Sequence, residues 1–137
     1  MMDDAGYEID DDPSRIQRDA VWEWLSTEAY WGRWRTRGDV DAQLDSAWRV
    51  VGIYDAGRQV GFARAVSDGV AFAYLADVFI VEGHRGRGLG KDLVRVMIDE
   101  GPGAHLRWVL FTADAHRLYK SFGFAAPDDT AMVRPAR

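Results

Sequence analysis

The spacing of hydrophobic positions changes several times along the chain, and each change marks an element. Ile16, Ala20, Val21, Trp24 and Leu25 recur at helical spacing, so a first helix is predicted over roughly 14–28, opened by Asp12-Pro13. Tyr7-Glu8-Ile9 ahead of it is a candidate short strand, and Asp39 is placed to cap a second short helix through Ala47. Three β-like runs follow, WRVVGIYD, QVGFARAVS and VAFAYLADVFIV, separated by Ala56-Gly57-Arg58 and by Asp68-Gly69. Asp-Gly between alternating segments is a hairpin signal, and the three runs are predicted to form an antiparallel meander. Beyond the third run, Leu93, Val94, Met97 and Ile98 fall on one face of a helix that Gly101-Pro102-Gly103 ends. A further strand, LRWVLFT, comes next. A last helix, AHRLYKSF, is expected with Asp114 as its cap, and one or two closing strands around Pro127-Asp128-Asp129.

Between the third run and its helix lies Arg85-Gly86-Arg87-Gly88-Leu89-Gly90-Lys91. Consecutive amides with little side-chain obstruction, just ahead of a helix N-terminus, suit a pyrophosphate. The two commonest phosphate motifs do not match. A Walker A loop needs Gly at the position of Arg85 and Ser or Thr at that of Asp92, and the dinucleotide fingerprint needs Gly at the position of Lys91.

Composition narrows the partners. The chain has 137 residues, 47% of them hydrophobic, enough for one domain spanning 1–137 to bury a core, with 1–6 a frayed end. No apolar run approaches the roughly 20 residues of a membrane helix, and the acidic start lacks the features of a signal peptide. No membrane partner and a cytoplasmic setting are expected. A net charge of -5 argues against nucleic acid as the main partner, leaving the basic loop for one anionic ligand. With no Cys and three His, no metal-ligand spacing appears, and thiolate chemistry is excluded. A homodimer is compatible with the composition, which does not select it.

Arg85-x-x-Gly88-x-Gly90 after a β-run resembles the acyl-CoA-binding motif of the GNAT superfamily of N-acetyltransferases. Leu118-Tyr119-Lys120-Ser121-Phe122-Gly123-Phe124 resembles that family's second signature. The resemblance covers nearly the whole chain, most strongly from Leu75 to Phe124. It implies an α+β fold: a central twisted mixed β-sheet of six to seven strands flanked by about four helices. The fourth and fifth strands would splay apart around acetyl-CoA, the cosubstrate. Its pantetheine arm would pair with the backbone at Phe79, Ile80 and Val81, and its pyrophosphate would rest on the amides from Arg85 through Gly86, Arg87, Gly88, Leu89 and Gly90 to Lys91. The second signature often has Asn seven residues before its Tyr; Thr112 stands there and is carried over as a cofactor contact.

The implied reaction is acetyl transfer to a primary amine of a small molecule or peptide. An alkyl ammonium must lose a proton before attack, and the departing thiolate gains from receiving one. Direct attack in a ternary complex is the simplest scheme without Cys. The resemblance places Tyr119 beside the sulfur as the acid. Asp77, a carboxylate inside an apolar strand and on the face of Phe79 by strand parity, is the candidate base. Glu82 and a water chain are alternatives, while the spacing of His116 suits packing or capping. Tyr30 and Trp31, in an aromatic and Arg-rich connection, either seal the core edge or wall an acceptor pocket. The competing function is a non-catalytic acyl-CoA-binding regulatory module.

Overall fold

A computed structural model describes residues 6–29 and 34–136. The meander forms where the alternation predicts it, as β2 (Arg49–Asp55), β3 (Arg58–Ser67) and β4 (Phe72–Ile80), antiparallel throughout. Ala56 and Gly57 both have positive φ at the β2–β3 turn, the twist a two-residue hairpin requires. At the next turn Asp68 accepts the amides of Val70, Ala71 and Phe72, at 2.9, 2.9 and 3.3 Å, which closes the loop around Gly69. β1 (Glu8–Asp10) pairs with β2, and β5 (Arg107–Val109) runs parallel to β4, giving the order β1-β2-β3-β4-β5.

The sheet has five strands among the described residues, not six to seven. The closing strands expected around Pro127 are absent: residues 125–136 are exposed and without regular pairing, and the Asp128 carboxylate bonds Thr130 in a local turn. The fifth strand is also shorter than LRWVLFT.

Among the described residues four α-helices flank the sheet. The first is shorter than its hydrophobic pattern. Pro13–Arg15 forms a 3-10 turn capped by Asp12, and α1 starts only at Arg18 and runs to Thr27. The break has a visible cause, since the Gln17 amide donates to Gln59 Oε1 at 2.8 Å while Gln17 Oε1 accepts from the Gln59 amide at 3.1 Å. This reciprocal pair holds Gln17 extended against β3. α2 (Arg37–Ser46) begins two residues before Asp39, so Asp39 is not its cap. Thr36 is, and Asp39 reaches back to the Thr36 amide at 2.8 Å to complete a capping box. α3 (Leu89–Met97) ends where Arg49 donates to the carbonyls of Val96 and Met97. α4 (His116–Lys120) receives no side-chain cap from Asp114; instead the Thr112 hydroxyl accepts the Ala115 amide at 3.1 Å.

Two apolar clusters sandwich the sheet. Val51, Ile53, Ala63 and Leu75 pack with Leu93, Val94 and Met97 of α3 and with Tyr119 of α4. On the opposite face Val50, Phe62 and Phe79 pack with Val21 and Leu25 of α1 and Val40 of α2. Among the described residues no helix is long and apolar enough to cross a membrane.

Candidate active site

Two features of β4 build the site. The first is its parting from β5. The strands pair only at Phe72, Ala73 and Tyr74, against Arg107, Trp108 and Val109, and from Ala76 onward no described strand pairs with that edge of β4, although the Ile80 carbonyl accepts from Arg85 Nε. The second is a bulge. Phe62 faces Phe79 and Arg64 faces Ala76, so Asp77 and Val78 together oppose Ala63 alone. Asp77 carries the turn with φ +56°, a left-handed conformation that Asp tolerates better than most residues. The extra residue resets the alternation: Leu75 belongs to the α3 cluster and Phe79 to the α1 cluster, although an unbroken strand would put both on one face. Strand parity therefore cannot be carried from Asp77 to Phe79.

Asp77 is the centre of a buried charge cluster. Arg35, just ahead of α2, grips it in bidentate fashion, Nη1 to Oδ2 and Nη2 to Oδ1, both at 2.9 Å. Arg64 of β3 adds Nε to Oδ2 at 3.0 Å, and Gln43 of α2 accepts from Arg35 Nη1 at 2.7 Å. The side chains of Arg35, Asp77 and Arg64 are 3%, 4% and 9% exposed. Three charge-assisted bonds occupy both carboxylate oxygens and favour the anion.

Beside this cluster, where β4 leaves β5, lies a cavity of about 390 Å³. Tyr119, Asp77 and Thr112 line it, three candidates separated by up to 42 positions in the chain, together with Val78 and the exposed Trp34. Tyr119 is 7% exposed and meets Phe124 edge-on at 5.8 Å, so the Gly123 turn that ends α4 locks the phenol in place. Tyr30 and Trp31 lie outside the described residues.

The glycine-rich loop stands apart from the cavity, at the far end of β4. Gly86 and Gly88 both have φ +78°, which L side chains rarely adopt. Gly88 is the N-cap of α3 without any side-chain cap, and the amides from Arg85 to Lys91 find no partner among the described residues. A row of unpaired amides on a helix N-terminus fits a pyrophosphate. The Arg85 side chain turns back, Nε donating to the Ile80 carbonyl at 3.0 Å, and so braces the loop.

The strand residues expected to meet pantetheine divide by direction. The Val81 amide donates to the Val60 carbonyl at 2.8 Å, toward β3. With a period of two, Val78 and Ile80 turn their peptide groups to the open edge, whereas those of Phe79 and Val81 turn inward. The Phe79 ring is committed to the core, stacked on Trp24 with centroids 4.3 Å apart. Val78 and Arg64 were missed by sequence reasoning. Arg64 did carry a signal, as a lone cation inside the apolar run QVGFARAVS with a lone anion, Asp77, in the next run. Among the described residues no cluster of His, Asp and Glu is placed to hold a metal ion.

The site joins a mixed sheet of five described strands, whose fourth and fifth strands separate, with a bulge and a buried Tyr at the gap and a glycine-rich helix start at the far end of β4. The acetyltransferase (GNAT) family model matches residues 16–124. A Gibberella zeae protein named "putative acetyltransferase" is 31% identical over 139 aligned positions, covering 82% of this chain and 75% of that one. The crystal structure of a GNAT-family protein from Xanthomonas campestris pv. campestris, also titled a "putative acetyltransferase", superposes with TM-score 0.90 at 33% identity. It covers 99% of this chain and 96% of that chain. N-acetylglutamate synthase from Neisseria gonorrhoeae, solved with coenzyme A and N-acetylglutamate, shares the fold at TM-score 0.73 and 15% identity, over 95% of this chain and 31% of that one. The chain belongs to the GNAT acetyltransferase family. Acetyl transfer from acetyl-CoA to amine acceptors is the chemistry of that family.

Proposed function

We propose that the protein is an acetyl-CoA-dependent N-acetyltransferase acting on a primary amine by direct attack in a ternary complex. The observation that carries this reading is the cavity, at the point where β4 and β5 part, that gathers Tyr119, Thr112 and the bulged segment Asp77-Val78. Acetyl-CoA supplies the thioester when bound. The amides of Arg85 to Lys91 hold its pyrophosphate, and the open edge of β4 at Val78 and Ile80 takes the pantetheine arm.

Each residue then has a distinct task. The outward amide of Val78, directly after the bulge, donates to the carbonyl oxygen as it gains charge. The Tyr119 hydroxyl donates a proton to the sulfur as it leaves. Asp77 is the anchor that holds Arg35 and Arg64, and water takes the ammonium proton, because both oxygens of this carboxylate are already engaged by the two guanidiniums. Thr112 positions Tyr119 by fixing the start of α4.

A thiol-release assay with acetyl-CoA against alkyl amines, aminoglycosides, polyamines, amino acids and peptides tests the reading. Release that depends on an added amine is expected. Tight coenzyme A binding with no release for any acceptor would replace the enzyme by a regulatory acyl-CoA-binding module.

A further inference from the structure

The charge cluster beside the cavity does not balance. Among the described residues the buried charged groups are Arg35, Arg64 and Asp77, two cations and one anion. Asp77 has both oxygens engaged, and Arg35 also holds Gln43. Arg64 spends only Nε on Asp77; its Nη1 and Nη2 make no hydrogen bond among the described residues. Neither nitrogen is sealed off, since the sealed and unpartnered side-chain atoms among the described residues are Arg37 Nε and Tyr54 Oη. Arg64 lines the cavity, and its side chain is more than nine-tenths buried. A buried guanidinium with two nitrogens free, in the wall of a half-open cavity, suits a bidentate anion.

The cavity's remaining charge is of the opposite sign. Asp114 lines it from the exposed rim, two residues before α4. One open cation in the buried wall and one carboxylate at the rim are the electrostatic complement of a zwitterion.

We infer that the acceptor is an amino carboxylate, an amino acid or a close analogue, whose carboxylate is held by Arg64 and whose ammonium is drawn in by Asp114 before it is deprotonated for attack. This inference rests on the acetyl-transfer reading and narrows its acceptor. The alternative use of Arg64, contact with the cofactor, would show up on acetyl-CoA rather than on the acceptor.

The test compares amino acids with their own carboxamides in the thiol-release assay, using wild type and Arg64→Gln. The carboxamide amine is the more readily deprotonated, so a preference for the carboxylate runs against intrinsic reactivity. Wild type should favour the carboxylate about 10- to 100-fold in kcat/KM, the range for hydrogen bonds to a charged group. Arg64→Gln should bring each pair within about threefold by raising the acceptor KM, with the acetyl-CoA KM unchanged. Equal rates within the wild-type pairs, or a raised acetyl-CoA KM in Arg64→Gln, would overturn the assignment. The wild-type pairs decide the matter even if the variant does not fold. If no amine is acetylated, titration calorimetry of N-acetyl amino acids and their carboxamides into the coenzyme A-loaded protein takes over. Binding of the carboxylates alone would sustain the anion site while the transfer reading falls, and binding of neither would remove it.

Discussion

Replacing Asp77 by Asn separates the electrostatic task of this residue from its backbone task. Asn also tolerates a left-handed φ, so the bulge at +56° is retained and the change is confined to charge. Two guanidiniums with side chains 3% and 9% exposed are then left facing an amide that can accept but no longer neutralise them. Breaking a buried ion pair by removing one partner costs about 3–5 kcal/mol. For 137 residues, unfolding entropy of about 2.1 cal/mol/K per residue gives about 0.29 kcal/mol/K, so Tm should fall by about 10–17 °C. The lower end is expected, because the Asn oxygen keeps one bond. Thermal unfolding followed by circular dichroism measures this. Adding Arg64→Gln to Asp77→Asn should cost less than the two separate losses together, since one of the stranded charges has gone. A Tm drop under about 3 °C, or strict additivity, would refute the view that the cluster is held by charge. The same variant tests the chemistry: with water as base, the acidic limb of the kcat/KM profile survives in Asp77→Asn. Loss of that limb with Tm intact would restore Asp77 as the base.

Three further outcomes follow from single contacts. Tyr119→Phe should lower kcat about 10- to 1000-fold with coenzyme A affinity retained, and an unchanged kcat at saturating substrates would remove the phenol from proton transfer. Gly88→Ala meets no neighbour within 4 Å but forces φ +78° on a residue with a Cβ, at a cost of about 1–2 kcal/mol. Coenzyme A affinity should fall about tenfold by calorimetry with the far-ultraviolet spectrum retained, and an unaltered Kd would show that the loop does not hold the ligand. The Asp68 carboxyl is held below its ordinary value of 3.8 by the amides of Ala71, Val70 and Phe72. Its stabilisation is therefore complete above that value and lost as pH falls through the lower folded-state value. Asp68→Asn should lower Tm at neutral pH, with the gap to wild type closing as pH falls through the lowered folded-state value, and a gap that ignores pH would contradict the role given to the charge.

What the sequence shows of this protein follows the range of the interactions. The meander, α3 and the glycine-rich loop were legible because each depends on neighbours within a few residues: the Asp68-Gly69 turn, the apolar face from Leu93 to Met97, the positive φ that Gly86 and Gly88 supply. The first helix was overread because what breaks it, the Gln17–Gln59 pair, spans 42 positions. Asp39 was read as a cap when it is the third residue of a capping box, a distinction that depends on whether Thr36 or Asp39 leaves helical geometry first. The closing strands were read from the turn residues Pro127-Asp128-Asp129, but nothing in the run from Ala125 supplies an apolar face for them to bury. Asp77 was picked out correctly as an anomaly in an apolar strand. Its partners were not, because Arg64 and Arg35 reach it from 13 and 42 positions away.

The bulge and the charge cluster are best understood as one device. An extra residue in β4 is needed for the strand to leave β5 with its alternation reset, so that the peptide groups of Val78 and Ile80 turn to the gap and their side chains to the α3 cluster, while the Phe79 ring turns into the α1 cluster. That residue must adopt a left-handed φ, which costs about 1–2 kcal/mol for anything but Gly. Gly would remove the strain, but it would leave the bulge free to slip, since it has no side chain to hold it. Asp removes part of the strain and adds three charge-assisted bonds that tie the bulge to β3 through Arg64 and to the start of α2 through Arg35. The geometry of the open edge is therefore set by the same carboxylate that positions Arg64 at the cavity wall. Asp77→Ala, which strains at φ +56° and has no side-chain bond to hold the bulge, should disturb coenzyme A contact and acceptor choice together, whereas Arg64→Gln should disturb acceptor choice alone. Measuring acetyl-CoA KM and the carboxylate-to-carboxamide preference in both variants separates the two effects, and a coupled loss in Arg64→Gln would show that the arginine, not the bulge, sets the edge.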